Sequence, residues 1–199
     1  MGSGMLDWLP LLGFALAGSV TPGPNVLMVA AGAASVGLRG VLPHMLGITF
    51  GFAAMLLIVG LGLAGPLAAS PAVHSVLKLV AAAWLLLLSW KIATAPPPGE
   101  GPVRPPMGFV QAALFQWVNP KAWMLAGAAM AGYTVAGQPL LPQVLLIAFI
   151  FGAVSMPCLL VWAGLGAGAR HLLREARALR RFNIAMGVLL ALSVLPLLR

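Results

Sequence analysis

Thr21-Pro22-Gly23-Pro24-Asn25 interrupts a long apolar run, with Leu6–Val20 before it and Val26–Ala34 after it. The two prolines remove two backbone donors, and the glycine between them disfavours a regular helix. The sequence therefore predicts a helix that is broken inside a membrane. Non-helical backbone is tolerated at that depth only where protein or a watery cavity satisfies its polar groups. We expect Thr21 and Asn25, one helical turn apart, to face a cavity that forms a binding site near the bilayer midplane.

The composition is that of an integral membrane protein. Of the 199 residues, 61% are hydrophobic and 7% are charged, whereas a soluble domain is about 25% charged. A hydrocarbon core about 30 Å thick requires roughly 20 apolar residues per helix, so the chain has room for about six spans and no separate soluble domain. The net charge of +8 does not indicate nucleic-acid binding, because the basic residues lie in short loops between apolar runs. We expect the lipid bilayer, and no nucleic acid, as a partner.

Six predicted spans make the fold class an all-α integral membrane protein. The spans cover about residues 6–35, 42–65, 72–93, 107–131, 140–168 and 182–198. The first helix is interrupted at Pro22 and Pro24, and the fourth at Pro120. Thr94–Pro106 holds six of the seventeen prolines and is predicted to be an extended linker. We interpret Met1–Gly4 as an expression scar.

A repeat at about half the chain length predicts internal symmetry within a single transmembrane domain, residues 1–199. The matched pairs are Gly13-Phe14 with Gly108-Phe109, Pro24 with Pro120, and Phe50-Gly51-x-x-x-Met55 with Phe151-Gly152-x-x-x-Met156. Two halves of three spans, about 5–93 and 107–199 on either side of the 94–106 linker, must enter the membrane from opposite sides. We therefore predict two inverted three-helix repeats. Paired interruptions of this kind point to a transporter's substrate site.

Basic loops predict the orientation in the membrane. Eight of the eleven basic residues lie in connections on one side, which we assign to the cytoplasm. They are Arg39, Lys91, Arg104, Arg170, Arg174, Arg177, Arg180 and Arg181. The prediction is a multi-pass protein of the inner (cytoplasmic) membrane with both termini outside.

Lys121 lies near the middle of the predicted span 107–131. At 1.5 Å per residue its ammonium is about 20 Å from the start of the span, too far to snorkel to the surface. An ammonium at this depth costs about 2.5–3.5 kcal/mol on insertion scales, so something must offset that cost. Two interpretations stay open. The ammonium binds carbonyl groups freed by the broken helices, or it recognises an anionic group of a ligand.

The two breaks offer complementary polar ends. Half-helices that start at Pro24 and Pro120 direct unsatisfied amides at the break, which suits a carboxylate. The carbonyls near Val20 and Val118 suit a cation such as an ammonium. A site with both ends matches a zwitterion, which is a free amino acid. Gln116 and Asn119, three residues apart, are predicted to share one helix face and to add hydrogen bonds to the site, or else to join helices together. The predicted substrate-binding residues are Thr21, Pro22, Gly23, Pro24, Asn25, Gln116, Asn119, Pro120 and Lys121.

Other polar residues receive structural interpretations. Thr49 and Ser155 are expected to pack between helices, and His44 and His74 to lie near opposite membrane surfaces without a role. The glycines of Gly47-x-x-x-Gly51 and Gly164-x-Gly166-x-Gly168 are expected to let helices approach closely, or to act as hinge surfaces. The single Cys158 permits neither an intramolecular disulfide nor a cysteine metal cluster. The acids Asp7, Glu100 and Glu175 fall at span ends or in loops, so no proton carrier is assigned, and no metal or cofactor is expected.

Five motifs carry a resemblance to a known family. They are Thr21-Pro22-Gly23-Pro24-Asn25, Gly47-Ile48-x-x-Gly51-Phe52, Trp90-Lys91-Ile92-Ala93, Phe115-Gln116-x-x-Asn119-Pro120-Lys121 and the basic loop before span six. Over nearly its whole length the chain resembles the LysE/RhtB family of amino-acid exporters. The resemblance implies six spans, a cytoplasmic membrane, and efflux of amino acids or close derivatives driven by an ion or voltage gradient. Pro71-Ala72-Val73-His74, followed by Trp90–Thr94, looks most like the branch that exports cysteine and O-acetylserine.

One position departs from the family pattern. Many relatives place an aspartate directly after the second glycine of span two, whereas this chain has Phe52. A mechanism that rests on that acid therefore does not carry over.

The sequence predicts a secondary exporter of small neutral amino acids that works by alternating access. It is predicted not to be an enzyme and has no catalytic residues, because its histidines and acids are far apart in depth and no nucleophile–base or metal-ligand spacing occurs. Two alternatives remain, a passive channel for small solutes and a membrane-embedded enzyme. A homo-oligomer is also compatible with the sequence.

Overall fold

A computed structural model describes residues 8–62, 71–95, 105–135, 137–172, 176–192 and 194–195. Every regular element in this part of the chain is a helix, as the all-α prediction requires. Some of the predictions fall outside the described residues. These concern Met1–Gly4, Asp7, most of the linker (96–104), Glu100, Arg104, Arg174, Glu175 and the side chain of His74.

Seven α-helices and one short 3₁₀ helix follow one another along the described residues. They are α1 (Trp8–Val20), α2 (Pro24–Gly60), α3 (Pro71–Ala93), α4 (Phe109–Phe115), the 3₁₀ turn Gln116–Val118, α5 (Pro120–Tyr133), α6 (Leu140–Leu172) and α7 (Ala176–Leu192). Of these, α2 and residues Leu140–Ala169 of α6 are long and apolar enough to cross a membrane. Three shorter apolar helical segments, Trp8–Val20, Ala82–Ala93 and Phe109–Val118, accompany them.

Both predicted interruptions are present. Between α1 and α2 the chain is not helical, and Gly23 is fully extended (φ −176°, ψ 178°) before Pro24 begins the next helix. Between the 3₁₀ turn and α5, Asn119 is extended (φ −88°, ψ 109°) before Pro120. Proline fits the first position of a helix because the amide it lacks would have no partner there.

The predicted loop between spans one and two is replaced by a bend at a single residue. Only Gly37 leaves the helical conformation within α2, with φ 79° and ψ 176°, a region that favours glycine. A Cβ on Gly32 would lie 3.2 Å from Val41, although nine residues of straight helix span about 14 Å. The segments 24–36 and 38–60 are therefore folded back on each other at Gly37.

The side chain of His44 lies within the returning segment of α2 and is buried. We predicted a position near a membrane surface, and that position stays a prediction, but the side chain itself is only 1% exposed. Residues of α3, α4, α7 and the described end of the linker line a cavity together with it.

The basic stretch before the last span is also more helical than predicted. Residues 170–181 were predicted to be a connection, yet α6 continues to Leu172 and α7 begins at Ala176. Arginine is a good helix former, and Leu179 is buried between the exposed side chains of Arg177 and Arg180. The last helix therefore carries these arginines on its exposed face.

The longest helices, α2 and α6, form the most extensive interface, and α2 also packs on α4. Cβ atoms on Gly47 and Gly51 would lie 2.3 Å from Phe109 O and 2.4 Å from Ala113 Cα of α4. A Cβ on Gly166 would lie 2.0 Å from Ala30 O of α2. These three glycines thus permit close helix packing, as predicted, whereas Gly164 and Gly168 have open space.

Candidate substrate site at the paired helix breaks

Lys121 joins the two interrupted helices. This residue follows Pro120 in the first turn of α5, and its Nζ donates a hydrogen bond to the backbone carbonyl of Thr21 at 2.6 Å. Its alkyl chain passes over Gly23, where a Cβ would lie 2.8 Å from Lys121 Cδ and 3.2 Å from Nζ. A side chain at residue 23 would therefore displace the lysine from this position.

A pair of side-chain amides forms the second link between the breaks. Asn25 Nδ2 donates to Gln116 Oε1 at 2.9 Å, and Gln116 Nε2 donates back to Asn25 Oδ1 at 3.3 Å. Gln116 Nε2 also donates to the carbonyl of Ala112 at 2.8 Å. Gln116 is completely buried, and buried amides are rarely left unpaired. This pair fixes the start of α2 against the end of α4.

Asn119 sets the position of Lys121. Its side-chain oxygen accepts a hydrogen bond from the Lys121 amide at 3.2 Å, which caps α5. Its carbonyl accepts from the amides of Ala122 and Trp123. The first three amides of α5 are therefore already bonded within the protein, and a carboxylate at this helix end would have to displace those bonds.

The carbonyl groups freed at the breaks are also bonded to protein donors. Trp162 Nε1 of α6 donates to the Val20 carbonyl at 3.1 Å. At the other break, Trp123 Nε1 donates to the Trp117 carbonyl at 2.8 Å. Together with the bond from Lys121 to Thr21, these contacts satisfy carbonyls at both helix ends. Such satisfaction is required of non-helical backbone at membrane depth.

A cavity of about 60 Å³ lies beside these contacts, which we call the break cavity. Five of the nine predicted site residues line it: Gly23, Asn25, Gln116, Asn119 and Lys121. The other four, Thr21, Pro22, Pro24 and Pro120, are not among its lining residues. Thr21 and Pro22 are exposed, and the Thr21 hydroxyl donates back to the Ala17 carbonyl. Two of the five predicted residues at the first break line the cavity, against three of the four at the second break.

Sequence reasoning missed Phe52 as a residue of the cavity wall. Phe52 is buried against Phe151, with ring centroids 5.4 Å apart and an edge-on geometry. Phe52, the residue that stands where many relatives have an aspartate, therefore lines the break cavity. Its position directly after Gly51, on the segment of α2 packed against α4, is the sequence signal that could have indicated it.

Ser155 was assigned to helix packing, and the structure places it both in a helix contact and in the cavity wall. Its hydroxyl donates to Thr49 Oγ1 at 3.3 Å, which links α6 to α2 as predicted. The same side chain lines the break cavity. Ser155 also lies inside the repeated motif Phe151-Gly152-x-x-x-Met156, which could have drawn attention to it.

The electrostatics of the break cavity are dominated by Lys121. All three acidic residues of the chain lie outside the described residues, so no carboxylate faces the ammonium in the described part. The described residues also contain no group of three or more His, Cys, Asp or Glu side chains that would hold a metal ion. A single cation with amide neighbours in an apolar wall suits an anionic group that also forms hydrogen bonds.

Comparison with known proteins gives a consistent family match. The family model described as LysE type translocator matches residues 16–199. The chain is 31% identical over 181 residues to the cysteine/O-acetylserine efflux protein of Salmonella paratyphi A, covering 90% of this chain and 89% of that protein. The proteins of the same name from Salmonella typhimurium and Escherichia coli strain K12 are 29% and 28% identical over 180 and 178 residues. These matches cover 90% and 89% of this chain, and 89% and 90% of the two relatives. No solved structure matches the chain.

Proposed function

The chain belongs to the LysE type translocator family, and from this premise we propose that it exports small neutral amino acids or their close derivatives from the cytoplasm. A member of this family is a multi-pass membrane transporter and not an enzyme. The names of its relatives suggest cysteine and O-acetylserine as the first substrates to test. We further propose that the protein lies in the cytoplasmic membrane, with the basic connections inside and both ends of the chain outside, as the distribution of Lys and Arg predicts.

The hydrogen bond between Lys121 Nζ and the Thr21 carbonyl is the observation that carries this proposal. It pairs a cation with a carbonyl oxygen across two broken helices. A zwitterion entering between them offers its carboxylate to the ammonium and its own ammonium to the carbonyl. The protein contact is thus replaced by two ligand contacts of the same kind, and neither partner is left unpaired.

The break cavity supplies the remaining recognition. Both hydrogens of Gln116 Nε2 are bonded within the protein, whereas Asn25 Nδ2 has a second hydrogen beyond its bond to Gln116 that a polar ligand can accept. Phe52 and Leu159 form an apolar wall that suits a small, uncharged side chain. The cavity of about 60 Å³ is narrow in this conformation, so substrate entry requires α1 and α5 to move apart.

Alternating access accounts for that movement. We assign six spans to two inverted repeats, with α1 and residues 24–36 as span one and residues 38–60 as span two. In the second repeat, α4, the 3₁₀ turn and α5 form span four. The extended residues Gly23 and Asn119 lie at corresponding positions in the two repeats, and rotation about them would open the cavity to either side.

Counterflow in proteoliposomes tests this function. Vesicles loaded with O-acetyl-L-serine should accumulate the labelled compound through the wild-type protein in a saturable manner. Lys121→Met should abolish the uptake, while Arg180→Met, which removes an exposed cation from α7, should leave it unchanged. Undiminished counterflow in Lys121→Met would remove the lysine from the site. Ohmic conductance without saturable counterflow would instead favour a passive channel.

A further inference from the structure

A second and larger cavity lies on the other side of the 3₁₀ turn from the break cavity. Its volume is about 660 Å³, against 60 Å³ for the break cavity. Ligand pockets typically measure about 300–1,000 Å³. Both segments of α2 contribute to its wall, together with α3, α4 and α7. We call it the His44 cavity, after the buried residue of α2 that lines it.

Two buried polar side chains line this cavity without partners for all their polar atoms. His44 is 1% exposed and Asn183 is 3% exposed. Both ring nitrogens of His44 and the Asn183 Oδ1 lack a hydrogen-bond partner within the described part of the chain. Buried polar groups nearly always have such a partner. Three such atoms, on two residues that line one cavity, therefore favour a polar occupant, which would reach them after a side-chain rotation.

The unpaired atoms define the hydrogen bonds that the occupant must make. Asn183 Oδ1 accepts only, while its Nδ2 donates to the Ala95 carbonyl at 3.5 Å. A neutral imidazole has one donor and one acceptor. The ligand must therefore donate at least two hydrogen bonds, to Asn183 and His44, and accept at least one from His44.

The charge of the cavity favours a carboxylate. Lys91 lines it from an exposed position near the end of α3, and no described lining residue is acidic. Trp84, Leu88 and Phe115 form apolar walls around these polar groups. An ammonium group supplies the donors and a carboxylate supplies the acceptors, so a free amino acid satisfies all of these requirements.

The His44 cavity adjoins the break cavity through the 3₁₀ turn and the residues that flank it. Phe115 and Val118 line the His44 cavity, whereas Gln116 and Asn119 line the break cavity. Phe115 is 3% exposed and lines the His44 cavity, while its neighbour Gln116 lines the break cavity. Lys91 and the described end of the linker line the His44 cavity, so the proposed orientation puts this end of the cavity toward the cytoplasm.

We propose that the His44 cavity is a second amino-acid site, where the substrate binds before it passes the 3₁₀ turn to reach the break cavity. This assignment rests on the proposed export function and adds a loading step to it. His44 and Asn183 hold the ammonium group and Lys91 holds the carboxylate. Movement of Phe115 connects the two sites.

Binding stoichiometry tests the second site. Equilibrium dialysis of the purified protein in lipid nanodiscs against labelled O-acetyl-L-serine should give two bound molecules per chain. His44→Leu and Asn183→Leu should each reduce this to one, and so should Lys121→Met. His44→Gln, which keeps a donor and an acceptor, should restore the second molecule. A wild-type protein that binds one molecule, unaffected by His44→Leu but lost in Lys121→Met, would overturn the proposal.

A local probe separates this outcome from failure of the export function. Val80 lines the His44 cavity and is 48% exposed, so Val80→Cys in a Cys158→Ala background places a single thiol there. O-acetyl-L-serine has no thiol and should slow maleimide labelling of this cysteine, even when Lys121→Met has removed the break site. Labelling that the ligand does not slow, in a protein that still performs counterflow, would overturn the second site alone. Absence of counterflow in the wild-type protein would overturn the export function.

Discussion

The amide pair between Asn25 and Gln116 should stabilise the protein because it joins two broken helices that are 91 residues apart in sequence. In Asn25→Leu, the buried Gln116 Oε1 loses its donor, and leaving such an atom unsatisfied costs about 1–3 kcal/mol. Gln116→Leu should cost about 0.5–1.5 kcal/mol, because Asn25 is only half-buried and water in the cavity can replace part of the lost bonding. The double variant leaves neither amide unpaired. The double variant should therefore lose less free energy of unfolding than the two single variants lose in sum, by about 1–2 kcal/mol.

Cys158 provides the measurement without any added label site. It is the only cysteine of the chain and is buried in α6, so a thiol-reactive dye reports on unfolding directly. For a chain of this size, a loss of 1 kcal/mol lowers the midpoint by roughly 2–4 °C. The four proteins of the cycle should therefore show clearly non-additive midpoints. Strict additivity would refute the reasoning, because it would mean that the two amides do not contact each other in the folded protein.

Two glycine substitutions test the packing and the site separately. Gly51→Leu should prevent folding, because even its Cβ would lie 2.4 Å from the backbone of α4. Size-exclusion chromatography should show that this variant aggregates. Gly127 has open space around it, so the control variant Gly127→Ala should remain monodisperse. Gly23→Ala should fold, since its extended φ of −176° suits any residue, but its Cβ should displace Lys121 from the Thr21 carbonyl. Because the displaced lysine no longer holds its position at the site, counterflow should fall about tenfold or more. Gly13→Ala, at a glycine with open space, is the control. Full activity in Gly23→Ala would show that the contact between Lys121 and Thr21 is dispensable.

Much of the fold was predictable because its causes are local. Proline lacks an amide hydrogen, so Pro24 and Pro120 fit the first position of a helix, although Pro43 and Pro157 lie inside α2 and α6. The apolar runs and the close packing at Gly47 and Gly51 were also predicted from composition and spacing, since only small residues let helix backbones approach. The loop expected before residue 42 was wrong, because a single glycine with positive φ at residue 37 suffices to reverse the chain.

The candidate site was predictable only in part. The sequence indicated that Lys121 would either bind a freed carbonyl or face a ligand, and in the structure its ammonium bonds to Thr21 while the side chain lines the break cavity. The cavity wall formed by Phe52 and the burial of His44 were missed. Both follow from how α2 folds back at Gly37 and packs on its neighbours, which no local pattern encodes.

The sequence by itself determined that the chain lies in a membrane, that it is helical, and where two of its helices must break. These properties follow from hydropathy and from the missing amide of proline, which act on each segment alone. The tertiary structure decided which donor reaches each freed carbonyl, as when Trp162 bonds to Val20 from 142 residues away. It also decided that Asn25 meets Gln116 and that a second cavity forms around His44. Such pairings depend on the relative placement of whole helices, because a backbone group left unpaired in a bilayer must be satisfied by whatever polar side chain the packing brings to it.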